Sequence, residues 1–329
     1  RKRWAAPTGL VPSGGWHRPL SRPGSVTRRT AGFPGSFRGM GRRYETVSFL
    51  SDFGTSDEFV GVVHSVIRDL APHARVIDLT HGVAPFDVRA GSLALARSIG
   101  YVASGVVLAV VDPGVGSARR AIAVEVADGE GVLVGPDNGL LAPAVALAGG
   151  AGRTVEITNP EHRLAAPGAT FAGRDVFAPA VAHLCNGGEL TDLGELLDAE
   201  LLMPGVVALP QSDDSKVIAQ VLWIDRYGNA QLNVGPDDLP TDFGDRVEIR
   251  CASPTGATVR SAVRAGSYGE LDPGAVGLVL DSSGLLALSM DQRDAAEELG
   301  LAAGDQVTLL ASDATRDARP QPVSLRPSR

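Results

Sequence analysis

Val106-Val107-Leu108-Ala109-Val110-Val111-Asp112-Pro113-Gly114-Val115-Gly116-Ser117-Ala118-Arg119-Arg120 is the stretch on which the fold turns. Its first six residues are apolar, largely β-branched and bounded by Gly105 and Pro113, so they read as a short buried strand. Asp112 then stands at the carboxyl end of that strand, the edge where open α/β sheets collect ligands. Past a Pro-Gly-Val-Gly turn the chain presents Arg119, and Arg120 faces the other side of an extended segment. Two readings fit these residues alone. The carboxylate and guanidinium form a reaction centre, or Asp112 caps a hairpin and Arg119 pairs with it for structure.

Working outward, strand-like and helix-like runs alternate. A strand over 46–50 precedes a helix over 56–70, capped by Thr55 or Ser56 and with Asp57 and Glu58 at its positive end. A strand over 75–79 and a helix over 87–99 lead into the 106–111 strand. This alternation predicts an α/β domain with a doubly wound, mostly parallel sheet and right-handed crossovers. Its ligand edge gathers Asp52, Thr80-His81 and Asp112. Segments 121–126 and 132–134 read as a hairpin closed at 128–131, and 173–184 as a helix. After a polar break at 210–215, short strands over 217–224, 230–234, 246–251, 258–263, 276–280 and 285–289, a helix at 294–299 and a strand at 306–310 predict a smaller all-β, barrel-like domain. The predicted domains span 44–209 and 216–312, flanked by a basic leader over 1–43 and a tail over 313–329, both expected to be disordered.

The chain has 329 residues, 44% hydrophobic and 21% charged, enough for two moderate cores. Its formal charge of -8 conceals an asymmetry. Residues 1–43 hold ten of the 30 Lys and Arg residues and none of the 38 acidic ones, so the body is strongly acidic. Such a body is a poor nucleic-acid binder, because phosphate contacts need clustered cations. The leader is Arg-rich and acid-free like a transit peptide, but its Gly and Pro density opposes an amphipathic helix. The simpler expectation is a stretch translated upstream of a start at Met40. No apolar run approaches the roughly 20 residues that span a bilayer. Cys185 and Cys251 lie far apart, with no CxxC or Cys/His cluster, which points to a reducing, cytoplasmic location and no structural metal.

Six blocks carry a resemblance: Phe49-Leu50-Ser51-Asp52-Phe53-Gly54, Asp78-Leu79-Thr80-His81, Val111 to Arg120, Gly135-Pro136-Asp137-Asn138-Gly139-Leu140, Thr170-Phe171-Ala172-Gly173-Arg174-Asp175-Val176-Phe177 and Ile224-Asp225-Arg226-Tyr227-Gly228-Asn229. In type and order they resemble the S-adenosylmethionine hydrolases (hydroxide adenosyltransferases), relatives of the nucleophilic fluorinase and chlorinase. The resemblance implies attack of water or hydroxide on C5′ of S-adenosyl-L-methionine, with no cofactor, and a homotrimer whose sites lie between subunits. It implies Asp112 and Arg119 as two members of an Asp-Arg-His set. Asp52 would accept the ribose hydroxyls, Phe86 lie beside the sugar and Gly173 line the site. Asp225 would hold the methionine amino group, Tyr227 stack on adenine, Asn229 bond its polar edge and Ser282 contact the methionine carboxylate.

The chain departs from the family at Ala172, where the hydrolases carry His. A methyl group neither accepts a proton nor orients water, so slow turnover is expected. Either the substitution was made to trap substrate or a natural variant works with Asp112 and Arg119 alone. His64 fits a helix face, and His81 sits in a motif the family does not use for proton transfer; neither is expected to be the base. A halogenase is disfavoured because Asp112 would repel halide where those enzymes carry Tyr, with Ser in place of Gly173. A Rossmann oxidoreductase lacks its glycine fingerprint after the first strand. A non-catalytic protein that binds S-adenosylmethionine or adenosine is the remaining alternative.

Overall fold

The computed structural model describes residues 43–312 except 214, 242, 254 and 255. The expectations for the leader and for the tail beyond 312 fall outside the described residues, which divide into two units, 43–207 and 208–312.

The first unit contains strands β1 (Thr46–Ser51), β2 (Arg75–Thr80), β3 (Val106–Val110), β4 (Ala121–Val126), β5 (Gly131–Pro136), β6 (Thr154–Ile157) and β7 (Gly194–Leu197). Helices α1 (Phe59–Leu70), α2 (Val88–Ile99), α3 (Ala142–Leu147) and α4 (Ala178–Cys185) cover them. The sheet order is β2-β1-β3-β5-β4-β6-β7. Pairings are parallel from β2 to β5 and antiparallel beyond. Only β4 and β7 therefore run against the common direction, giving the expected mostly parallel sheet.

The apolar run that begins β3 has a simple cause. Val106, Leu108 and Val110 enter one core with α1 and α4, while Val107, Ala109 and Val111 enter the other with α2 and α3. A strand covered on both faces has no solvated side, so it reads as continuous rather than alternating hydrophobicity.

Two local expectations are corrected. Helix α1 starts at Phe59, not 56, and has no side-chain cap. Gly54 adopts φ +66 and donates its N–H to the His81 carbonyl, so the chain is still turning where the cap was expected. The 173–184 helix opens with a π-turn, Gly173–Phe177, before α4. Pro179 has no N–H for the Asp175 carbonyl, which instead accepts from Leu164 N–H, and Ala178 N–H reaches back to Gly173.

The second unit contains β8 (Gln211–Asp213), β9 (Lys216–Ile224), β10 (Ala230–Leu232), β11 (Arg246–Ser253), β12 (Gly256–Ala265), β13 (Val276–Leu280), β14 (Leu286–Met290), α5 (Ala295–Leu299) and β15 (Gln306–Ala311). The order β10-β14-β13-β12-β11-β15-β9 closes on itself through β9–β10 pairing, and β8 extends from β9. Alternate residues, among them Val217, Ala219 and Val221 of β9 and Val247, Ile249 and Cys251 of β11, fill the barrel.

Candidate active site

Asp112 follows β3 and is placed by what holds that strand end. Asn138, in the loop after β5, donates its side-chain N–H to the Val111 carbonyl at 2.9 Å and accepts from Leu140 N–H. The turn then returns Arg119, whose Nε lies 2.9 and 3.0 Å from the two carboxylate oxygens of Asp112. Its Nη2 donates to the second oxygen as well. The Asp112 side chain is 6% exposed and that of Arg119 15%, so this fork is largely shielded from water. Arg119 also lies over the Phe177 ring, 5.3 Å from its centroid. Arg120 points elsewhere, to Asp137 at 2.9 Å, as the alternation of an extended segment requires.

The Thr170–Phe177 block joins this pair to the end of β1. Phe177 packs under Arg119. Phe171 meets Phe53 edge-on at 5.7 Å and Phe59 at 5.1 Å. A Cβ on Gly173 would stand 3.0 Å from the Phe53 ring, so this glycine is a close packing contact. Ala172 packs beside the same core and presents only its methyl. Asp52, beside Phe53, does not cap α1; its carboxylate accepts from Phe86 N–H at 2.9 Å. Phe86 is held at φ +70 and is 72% exposed, a conformation and exposure that core packing does not explain. Asp52, Phe86, Asp112, Arg119, Ala172 and Gly173 are thus carried by β1, β3 and the segments beside them.

In the second unit, Asp225 to Asn229 form the hairpin loop between β9 and β10. Asp225 accepts from Tyr227 N–H at 2.8 Å, Asn229 N–H at 2.9 Å and the Asn229 side chain at 2.8 Å. The carboxylate builds the turn that exposes Tyr227 to 74%. Ser282 lies exposed in the turn between β13 and β14, which Asp281 organises by accepting from Ser283 and Leu285 N–H. Sequence reasoning assigned no role to Phe53, Phe171, Phe177 or Asn138, although all four lie inside the quoted blocks. For the three phenylalanines the signal was an aromatic residue within a block that also carries a site candidate; Asn138 lies in a block with none. Neither thiol is a nucleophile at neutral pH: burial pushes Cys185 up to about 12 and Cys251 up to about 11.

The model of the SAM hydroxide adenosyltransferase N-terminal domain matches residues 47–194, and that of the C-terminal domain matches 219–308. The chain belongs to the SAM hydroxide adenosyltransferase family. It is 42% identical over 268 residues to a Salinispora arenicola protein named (R)-S-adenosyl-L-methionine hydrolase, covering 80% of this chain and 97% of that one. A protein of Actinoplanes named fluorinase is more distant, at 26% identity over 293 residues, with 80% and 96% covered. A crystal structure of an uncharacterized conserved protein from Thermotoga maritima superposes with TM-score 0.73 at 35% identity, covering 80% of this chain and 99% of that one. The two SAM hydroxide adenosyltransferase domains correspond to the α/β unit and the barrel. Among the described residues no helix is long and apolar enough to cross a membrane.

Proposed function

We propose that this chain hydrolyses S-adenosyl-L-methionine to adenosine and L-methionine. The observation that carries the reading is the shielded Asp112 carboxylate gripped by Arg119, in a chain 42% identical to a named hydrolase of that substrate. In the reaction a water oxygen forms a bond to C5′ as the C–S bond breaks. The electron pair returns to sulfur as neutral methionine, and the water proton is released. Sulfonium is already a good leaving group, so the protein needs to align water, accept its hydrogen bond and exclude competitors. Asp112 supplies the acceptor, and Arg119 fixes its orientation through three hydrogen bonds from Nε and Nη2. No cofactor has a step to perform.

Asp52 is assigned to the ribose hydroxyls, with Phe86 beside the sugar and Gly173 lining the site. Tyr227 and Asn229 are assigned to adenine, and Asp225 and Ser282 to the methionine amino and carboxylate groups. A carboxylate at Asp112 would repel halide, which speaks against transfer of the fluorinase kind. We further propose a cytoplasmic homotrimer with sites between subunits, which light scattering tests: a monomeric mass would overturn it.

Ala172 sets the rate. General acid–base assistance is worth about 100- to 10,000-fold, so the chain as it stands should turn over slowly and Ala172→His should accelerate adenosine release within that range. Chromatographic product assay of both proteins tests this; equal rates would show that the third member is dispensable. The same methyl favours one second reading, a non-catalytic S-adenosylmethionine or adenosine binder. Calorimetric binding with no adenosine from either protein would select it.

A further inference from the structure

Behind the ribose-side loop, three elements converge on one carboxylate that the proposed reaction does not use. His64 of α1 brings Nε2 to 2.8 Å from Asp78 Oδ1 of β2. His81, just past β2, brings its own Nε2 to 3.1 Å from the same oxygen. One donor atom from each residue lies within 4.8 Å of the others. The side chain of His81 is only 5% exposed, and its Nε2 makes no well-aligned hydrogen bond. A buried imidazole nitrogen that approaches a carboxylate off the bonding direction is under-satisfied, and native proteins rarely leave such a group without a partner.

We propose that His64, Asp78 and His81 form a binding site for a divalent transition metal of the zinc type. Two imidazoles and one carboxylate are a borderline donor set that suits zinc, cobalt or nickel rather than magnesium or calcium, which prefer oxygen. The spacing fits. Bonds of about 2.0–2.1 Å place the ligand atoms of a tetrahedral site about 3.3 Å apart, so the 2.8 and 3.1 Å separations need open only slightly.

The surrounding shell is already in place. Ser51 Oγ lies 2.7 Å from His81 Nδ1, so an Nδ1–H donated to it leaves Nε2 as the lone-pair nitrogen facing the cluster. Phe49 flanks both rings, with centroids 4.6 Å from His81 and 6.0 Å from His64. The His64 and Asp78 side chains are 34% and 43% exposed, which provides an entry path and room for a water as fourth ligand. Because the His81 carbonyl accepts from Gly54 N–H at 2.8 Å, a bound metal would brace α1 and β2 against the loop that carries Asp52.

The test uses the full chain stripped with a chelator and titrated calorimetrically with zinc, with cobalt as an optical probe and magnesium as control. One equivalent of zinc should bind near pH 7.5 and raise the unfolding temperature, cobalt should give the intense visible bands of a tetrahedral site, and magnesium should do neither. His64→Gln and Asp78→Asn, both at partly exposed positions, should each weaken zinc at least tenfold. His162→Gln, at an unrelated imidazole, should bind like the parent. Absence of stoichiometric zinc binding by the parent would overturn the proposal. So would undiminished affinity in both His64→Gln and Asp78→Asn, even if one equivalent binds.

Discussion

At the scale of single residues, Asp112 carries the most weight. Its oxygens are both engaged by Arg119, but Oδ1 accepts only one of these contacts and keeps a lone pair for water. Replacement by Asn preserves the shape but leaves Arg119 without its counter-charge and puts an N–H where an acceptor is needed. In the Ala172→His background, Asp112→Asn should lower adenosine release by about 100-fold or more while calorimetric affinity for S-adenosylmethionine is retained. Chloride should not yield 5′-chloro-5′-deoxyadenosine with the Asp112 protein. Unchanged hydrolysis by the Asn variant, or efficient halide transfer by its parent, would remove this carboxylate from the role of directing water.

Among the elements, the β9–β10 hairpin shows how one side chain can serve both turn and ligand. Three hydrogen bonds converge on Asp225, and Gly228 beside it holds φ +82, where a Cβ would stand 2.2 Å from the Asp294 carboxyl carbon. Asp225→Ala should therefore cost about 1–3 kcal/mol of stability as well as affinity. A chemical denaturation curve distinguishes this from a purely ligand-directed role, in which the midpoint would not move. The resemblance assigned Asp225 to the methionine amino group; the hydrogen bonds show that it first has to build the loop. Likewise the helical pattern over 173–184 was legible, but not its π-turn, because that depends on Leu164 reaching the carbonyl that Pro179 leaves unpaired.

Across the whole molecule, acid sensitivity should concentrate where imidazoles crowd. His162 stacks on His183 with centroids 4.0 Å apart, and His183 Nε2 lies 3.2 Å from Asp192. Burial, then the neighbouring His183 charge, lowers the pKa of His162 below its ordinary value, against weaker opposing pulls from Asp192 and Glu161. The fold thus prefers neutral His162. Its contribution is fully present above the unfolded value of about 6.5 and declines as pH falls through it, because the unfolded chain takes the proton first. The unfolding temperature should drop between pH 7 and 5, and His162→Asn should flatten that drop. A parallel decline in parent and variant would assign the acid sensitivity to other groups.

What the sequence by itself determined is what local chemistry encodes. The continuous apolar run before Asp112 required a strand covered on both faces, the alternation of elements required an α/β sheet, and the spaced short strands required a β unit. The Asp-Arg pair was legible because a seven-residue separation around a Pro-Gly turn brings two side chains together whatever lies beyond it. Tertiary structure decided the rest. Closure of the barrel needs β9 to pair with β10 and β15, which no local pattern specifies. The His64-Asp78-His81 cluster joins a helix face to a strand end, and the packing of Phe177 under Arg119 spans 58 positions in sequence. Such contacts depend on burial and chain reversal, and the residues involved look ordinary until the sheet brings them together.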